Sequence, residues 1–214
     1  MLSIFPVFEA PWYKEKPLWP WPIASVDAFS YVPITSESDD ATIGSFFAGF
    51  SVETNPPDVR SAAAQLEDII EEGALVRNGG MSFEDDGVTI HPGCCGDLRA
   101  AIEWMNFLSA EKKPWAGHDP APWATFDGDD IVIWSDGGLD DRSIEPCIRT
   151  TRAEFEVCLA SACRELSEFG KLCGTWLADH DIPKADEIHA RITNDFDLLV
   201  QSIKETEQDA SNGG

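Results

Sequence analysis

The chain has 214 residues, with 39 Asp and Glu against 15 Lys and Arg, a formal charge of −24 and a pI near 4.2. A field of that sign repels nucleic acid and anionic membrane, so neither is expected as a partner. Its 43% hydrophobic content, with 8 Trp and 12 Phe, excludes the disordered class and supplies material for a packed core.

The length suits one domain. The charge is −12 in each half of the chain, so the acidity belongs to the folded body and not to a detachable tail. Steering of a basic partner, plain solubility and a salt-loving host each account for such a surface. The N-terminal segment has no basic start, and Pro6, Glu9, Pro11, Pro17, Pro20 and Pro22 interrupt its apolar residues, so no signal peptide is expected. No run approaches the roughly 20 apolar residues of a membrane span. Cys94, Cys95, Cys147, Cys158, Cys163 and Cys173 then read as free thiols in a cytoplasmic protein.

In chain order, residues 1–55 mix prolines and aromatics with short β-branched runs. Strands are expected at Ala28–Thr35 and Ile43–Val52, with Glu37–Asp40 as the loop between them. Asn55-Pro56-Pro57 opens an amphipathic helix in which Val59, Ala63, Leu66 and Ile70 recur at helical steps and Gly73 is the stop. Leu75–Ile90 reads as a small antiparallel meander with turns at Asn78-Gly79-Gly80 and Asp85-Asp86-Gly87. Leu98, Ala101, Met105 and Leu108 mark a second helix, with Asp97 at its positive end. After Lys113-Pro114 comes a Trp/Pro-rich loop, then a hairpin from Trp123 to Trp134 around Asp127-Gly128, then a polar linker from Asp136 to Pro146.

Thr151 and Glu154 match a capping box. Phe155, Leu159, Ala162, Leu166, Phe169, Cys173 and Trp176 follow at steps of four and three. A last helix opens at Asp181 and Pro183 and places Ile188, Ile192, Phe196, Leu199 and Ile203 on one face. The fold expected is α+β, with short antiparallel strands packed on amphipathic helices and a C-terminal helical hairpin. Residues 1–146 form the α+β region, residues 147–207 the hairpin packed on it within one domain, and residues 208–214 a frayed tail.

Several residue groups invite a chemical reading. His91, Cys94 and Cys95, with His118 and Asp119 more distant, hold zinc-type donors, but adjacent cysteines do not chelate as a C-x2-C loop does. A turn packed over small thiols is the expected state, with no metal and no cofactor. A nucleophilic cysteine at a helix entry with a histidine base is the outline of a thiol enzyme, yet the surrounding acidity opposes a thiolate. The Asp-rich stretches 127–130 and 136–141 lack the order of a calcium loop and read as turns. No phosphate-binding glycine motif is present. The loop from Trp115 to Trp123 carries two indoles, His118 and Asp119 within nine residues, which suits either an aromatic binding surface or a loop folded down on the sheet.

The order Pro92-Gly93-Cys94-Cys95, a helix with Trp104, Trp115-Ala-Gly-His118-Asp119-Pro120, Ile133-Trp-Ser-Asp136 and a capped helix ending near Trp176 resembles a group of small uncharacterised bacterial proteins. Some of these look like candidate immunity proteins of polymorphic toxin systems. The resemblance covers residues 90–177, implies a cytoplasmic bacterial protein and carries over no catalytic residue. The expectation is a non-enzymatic acidic protein that binds a basic partner, such as a toxin nuclease, through Trp115, His118, Asp119, Trp123 and Asp136. The alternative is a small hydrolase or thiol enzyme using His91, Cys94 and Cys95, with His118 as a further candidate for the same cleft.

Overall fold

The first strand, β1 (Ser3–Glu9), lies in the middle of a four-stranded antiparallel sheet, between β2 (Tyr31–Pro33) and β3 (Gly79–Asp85), with β4 (Val88–Ile90) at the far edge. This arrangement comes from a computed structural model, which describes residues 1–10, 19–50, 64, 66 and 77–197. Successive strand residues face opposite sides of a sheet, and Val7 and Phe8 are both fully buried, so β1 is covered on both faces. Pro6 is tolerated there because its carbonyl accepts the Ile34 N–H at 2.9 Å on the β2 side, one step past the terminal Val7↔Pro33 pair. The N–H that proline lacks falls on that same edge, so no rung to β3 is lost.

The expected strand at Ile43–Val52 is corrected. Asp40–Ala48 form a helix, α1, and Asp39 caps it by accepting the Thr42 N–H at 2.8 Å. Ile43, Phe46 and Phe47, at helical spacing, are its buried face. Tertiary packing outweighs the strand preference of this aromatic run: Phe46 meets Phe8 at 6.0 Å and Phe169 at 5.2 Å, and Phe47 stacks on Trp176 at 5.0 Å. The expected strand at Ala28–Thr35 shrinks to β2. The expected helix from Pro57 to Gly73 lies outside the described residues except for Ala64 and Leu66, both helical, the first exposed and the second fully buried.

The turn expected at Asn78-Gly79-Gly80 is also corrected. Gly79 and Gly80 belong to β3, and a Cβ on Gly79 would lie 2.1 Å from the Val7 carbonyl oxygen, so glycine lets the two strands approach. The second expected turn is present: Asp85↔Val88 closes a two-residue loop in which Asp86 and Gly87 both have positive φ, as a type I′ hairpin requires.

Asp97 caps a short 3-10 turn, Leu98–Ala100, that leads into α2 (Ala101–Ala110). The hairpin of β5 (Trp123–Asp127) and β6 (Asp130–Asp136) pairs Trp123 with Trp134 as expected. A third strand, β7 (Ile144–Thr151), completes this sheet where only linker and helix were expected, so Cys147–Thr151 end a strand and do not begin the hairpin. Only Ile148 and Thr150 of β7 are buried, at alternate positions, so its inward side buries a single apolar residue and, with Pro146 on an edge strand, gives little strand signal in the sequence.

Helix α3 (Arg152–Asp179) starts at Thr151, whose hydroxyl accepts the Glu154 N–H at 3.2 Å. The reciprocal half of the capping box is redirected: the Glu154 carboxylate accepts from Leu2 N–H and from the Thr150 hydroxyl, tying the helix to the start of β1. All seven residues of the expected apolar face are buried, and so is Cys163. The closing helix, α4 (185–197), lays Ile188, Ile192 and Phe196 against it; Leu199 and Ile203 lie outside the described residues. Phe155 stands where the layers meet, 6.0 Å from Phe83 of β3, 6.0 Å from Trp104 and 6.5 Å from Phe107 of α2. Phe107 in turn stacks on Phe126 of β5 at 4.5 Å, which joins the second sheet to the core. No described helix is long and apolar enough to cross a membrane.

Candidate functional site

The loop that follows α2 is held by backbone contacts on two sides. On one side the Gly93 N–H donates to Ala116 O at 2.7 Å and the His118 N–H to Cys94 O at 2.9 Å, a short antiparallel bridge. The backbones touch so closely that a Cβ on Gly93 would lie 1.8 Å from the Pro120 carbonyl oxygen. On the other side the Gly138 N–H donates to Ala121 O at 2.9 Å. One oxygen of Asp136 accepts both the Ala121 N–H at 2.8 Å and the Gly137 N–H at 2.6 Å. Lys113 adds a third tie, donating to Gly138 O and the Asp141 carboxylate with its ammonium 4.6 Å from the Trp123 ring.

Between the loop and the Gly138–Leu139 turn lies an open cleft of about 220 Å³, lined by Lys113, Pro114, Trp115, Pro122, Gly138 and Leu139 among others. Trp115 is 46% exposed and Leu139 58% exposed. The two indoles of the loop therefore have different positions. Trp123 is half-buried, packed beneath Lys113 as scaffold, whereas Trp115 stands at the cleft mouth with its ring 6.3 Å from His118. Asp119 projects into solvent, 91% exposed, with a carboxylate oxygen 3.5 Å from His118 Nδ1. Asp140 and Asp141 nearby are paired to Arg142 and Lys113. Asp127 and Asp130, in the other Asp-rich turn, both bind Arg149, at 2.7 and 3.2 Å.

Asp136 serves the cleft as a brace. The two backbone N–H groups hold its carboxyl below the ordinary Asp range, so its contribution to stability is complete above that range and is lost as pH falls through the lowered value. Asp136→Ala is expected to cost roughly 1 kcal/mol at neutral pH, below the usual range of about 1.5–3 kcal/mol for bonds to a charged group because the carboxylate is partly solvated. The deficit should vanish in acid, as denaturant melts at both pH values will read.

The three residues of the thiol-enzyme reading are not brought together as a set. His91 Nδ1 is 2.8 Å from the Ser82 hydroxyl and its ring stacks on Tyr31 at 4.7 Å, while the imidazole that joins Cys94 and Cys95 is that of His118. A hydrogen bond in which the Cys94 thiol donates to Cys95, together with the negative charge of that neighbour, pushes the Cys94 thiol up, away from a nucleophilic thiolate at neutral pH. Burial lowers the His91 pKa.

Comparison with protein-family models, curated proteins and solved structures finds no match. The likeness to immunity proteins therefore rests on the residue pattern alone.

Leu139 and Lys113 escaped the sequence reading. The first had one signal, a lone large apolar residue in an otherwise Gly- and Asp-rich stretch from Asp136 to Asp141. The contact of Lys113 with Trp123 had none, since it depends on how two loops fold over one another.

Proposed function

We propose that the protein is a non-enzymatic binding protein that receives an apolar side chain of a basic protein partner in the Trp115–Leu139 cleft, in the manner of an immunity protein that neutralises a toxin such as a nuclease. The observation that carries this reading is the exposure of Trp115 and Leu139 across a cleft whose walls are fixed by backbone hydrogen bonds. Exposed indole on a rigid loop is costly in a monomer and is the residue type most enriched at binding hot spots. Preorganisation spares the loop much of its ordering cost on association.

A cleft of about 220 Å³ holds a side chain and not a whole interface, and since a stable interface takes about 800 Å² from each partner, the acidic surface around it must share the contact. That charge acts chiefly on the rate of encounter. The thiol-enzyme alternative has less support, because His91 is held by Ser82 and the Cys94 thiol beside His118 is pushed away from the thiolate.

The test is co-expression with the product of a neighbouring toxin-like gene. Protection of the cells, a co-purifying complex and an association rate that falls steeply with salt are the expected results. Absence of both protection and complex removes the reading.

A further inference from the structure

Beside the cleft, the Sγ atoms of Cys94 and Cys95 and one ring nitrogen of His118 all lie within 4.8 Å of one another. We propose that these three side chains form a binding site for one thiophilic d10 cation, Zn²⁺ or Cu⁺.

Adjacent cysteines in extended chain point to opposite sides and cannot share an ion. Here Cys95 has φ +62°, and this left-handed turn brings the two sulfurs to 3.7 Å. At the usual Zn–S length of about 2.3 Å, that separation corresponds to an S–Zn–S angle of about 107°, close to tetrahedral. The third donor is delivered by backbone pairing: Cys94 and His118 face each other in an antiparallel bridge closed at 2.9 Å, which puts both side chains on one side of the ribbon. The ion displaces both thiol protons to solvent on binding, and the resulting two thiolates with an imidazole are a soft donor set that selects zinc or cuprous ions over magnesium or calcium.

Further observations agree with a cation. His118 Nδ1 is enclosed and makes no hydrogen bond, and a carboxylate oxygen of Asp119 is 3.5 Å away. With Nε2 on the ion, Asp119 beside Nδ1 orients the ring as outer carboxylates do for metal-bound histidines; with Nδ1 on the ion, that nitrogen gains the partner it lacks. Both sulfurs are exposed, so an ion has a path of entry. Asp119, beside His118, adds a negative charge that favours a cation.

The experiment uses the full chain, stripped with chelator and kept reduced, dialysed separately against Zn²⁺ and anaerobic Cu⁺. Bound metal is counted by mass spectrometry, and affinity is measured by competition with a chromophoric chelator. One equivalent of at least one ion is expected to be retained, and the two arms show which. Cys94→Ser, Cys95→Ser and His118→Asn should each weaken binding by about tenfold or more, whereas Cys147→Ser and Cys158→Ser should leave it unchanged. Far-UV circular dichroism of the metal-free variants checks the fold. Should His118→Asn not fold, the double variant Cys94→Ser/Cys95→Ser, at two exposed positions, carries the decision. Retention well below one equivalent of both ions overturns the proposal, and so does full retention by that double variant. No partner protein enters these measurements, so their outcome is independent of the binding role proposed for the cleft.

Discussion

Replacing Phe155 with alanine is expected to lower the unfolding free energy by about 3–5 kcal/mol, the usual cost of deleting a fully buried phenyl ring. Its ring is completely enclosed and touches Phe83, Trp104 and Phe107, which belong to the four-stranded sheet and to α2. These rings are themselves packed, Phe83 on Trp104 at 4.5 Å and Phe107 on Phe126 at 4.5 Å, so the site has little freedom to collapse into the space left behind. Against a total stability of about 5–15 kcal/mol, this is a large fraction. Urea unfolding should show a lower midpoint with an unchanged slope, since the surface exposed on unfolding barely alters. Val157, two residues on and 68% exposed, is the control: Val157→Ala should change stability by less than about 0.5 kcal/mol. A loss below about 1 kcal/mol for Phe155→Ala would mean that the junction between the layers repacks freely.

What the sequence made legible follows from the range over which each signal acts. Helix α3 could be read in detail because its periodicity runs from Phe155 to Trp176 and its cap at Thr151 is local. The hairpin at 123–136 carried its own turn chemistry, with Gly128 at positive φ between paired Asp127 and Asp130. Strand β1 was hidden by Pro6, which is harmless only because of where β2 ends. Helix α1 was hidden by its phenylalanines, whose burial against Trp176 and Phe169 involves residues more than 120 positions away. At the site, the density of Trp, His and Asp from Trp115 to Trp123 pointed to the loop. Two other features were out of reach: the split between an exposed Trp115 and a half-buried Trp123, and the meeting of His118 with the thiols. Both follow from loop crossings that leave no periodic trace.

That split makes the two tryptophans tests of different properties. Trp115→Ala should weaken partner binding between tenfold and a hundredfold, about 1.4–2.7 kcal/mol, because it removes the aromatic wall of the cleft. The melting temperature should change little, since 46% of the residue is already in water and the loop is tied by backbone bonds that do not pass through the ring. Trp123→Ala should do the reverse. Its ring lies under the Lys113 ammonium and beside Gly138, where a Cβ would come within 3.2 Å of the Trp123 side chain, so its loss opens a void beneath the cleft and destabilises the fold before it affects the contact surface. Leu139→Ala should weaken binding by less than Trp115→Ala, and the double variant by less than the sum, because both side chains border one cleft. Thermal melts and equilibrium binding on the same four proteins separate these outcomes. If Trp115→Ala lowers the melting temperature as much as Trp123→Ala while affinity holds, Trp115 is part of the scaffold and the partner contacts a different acidic face.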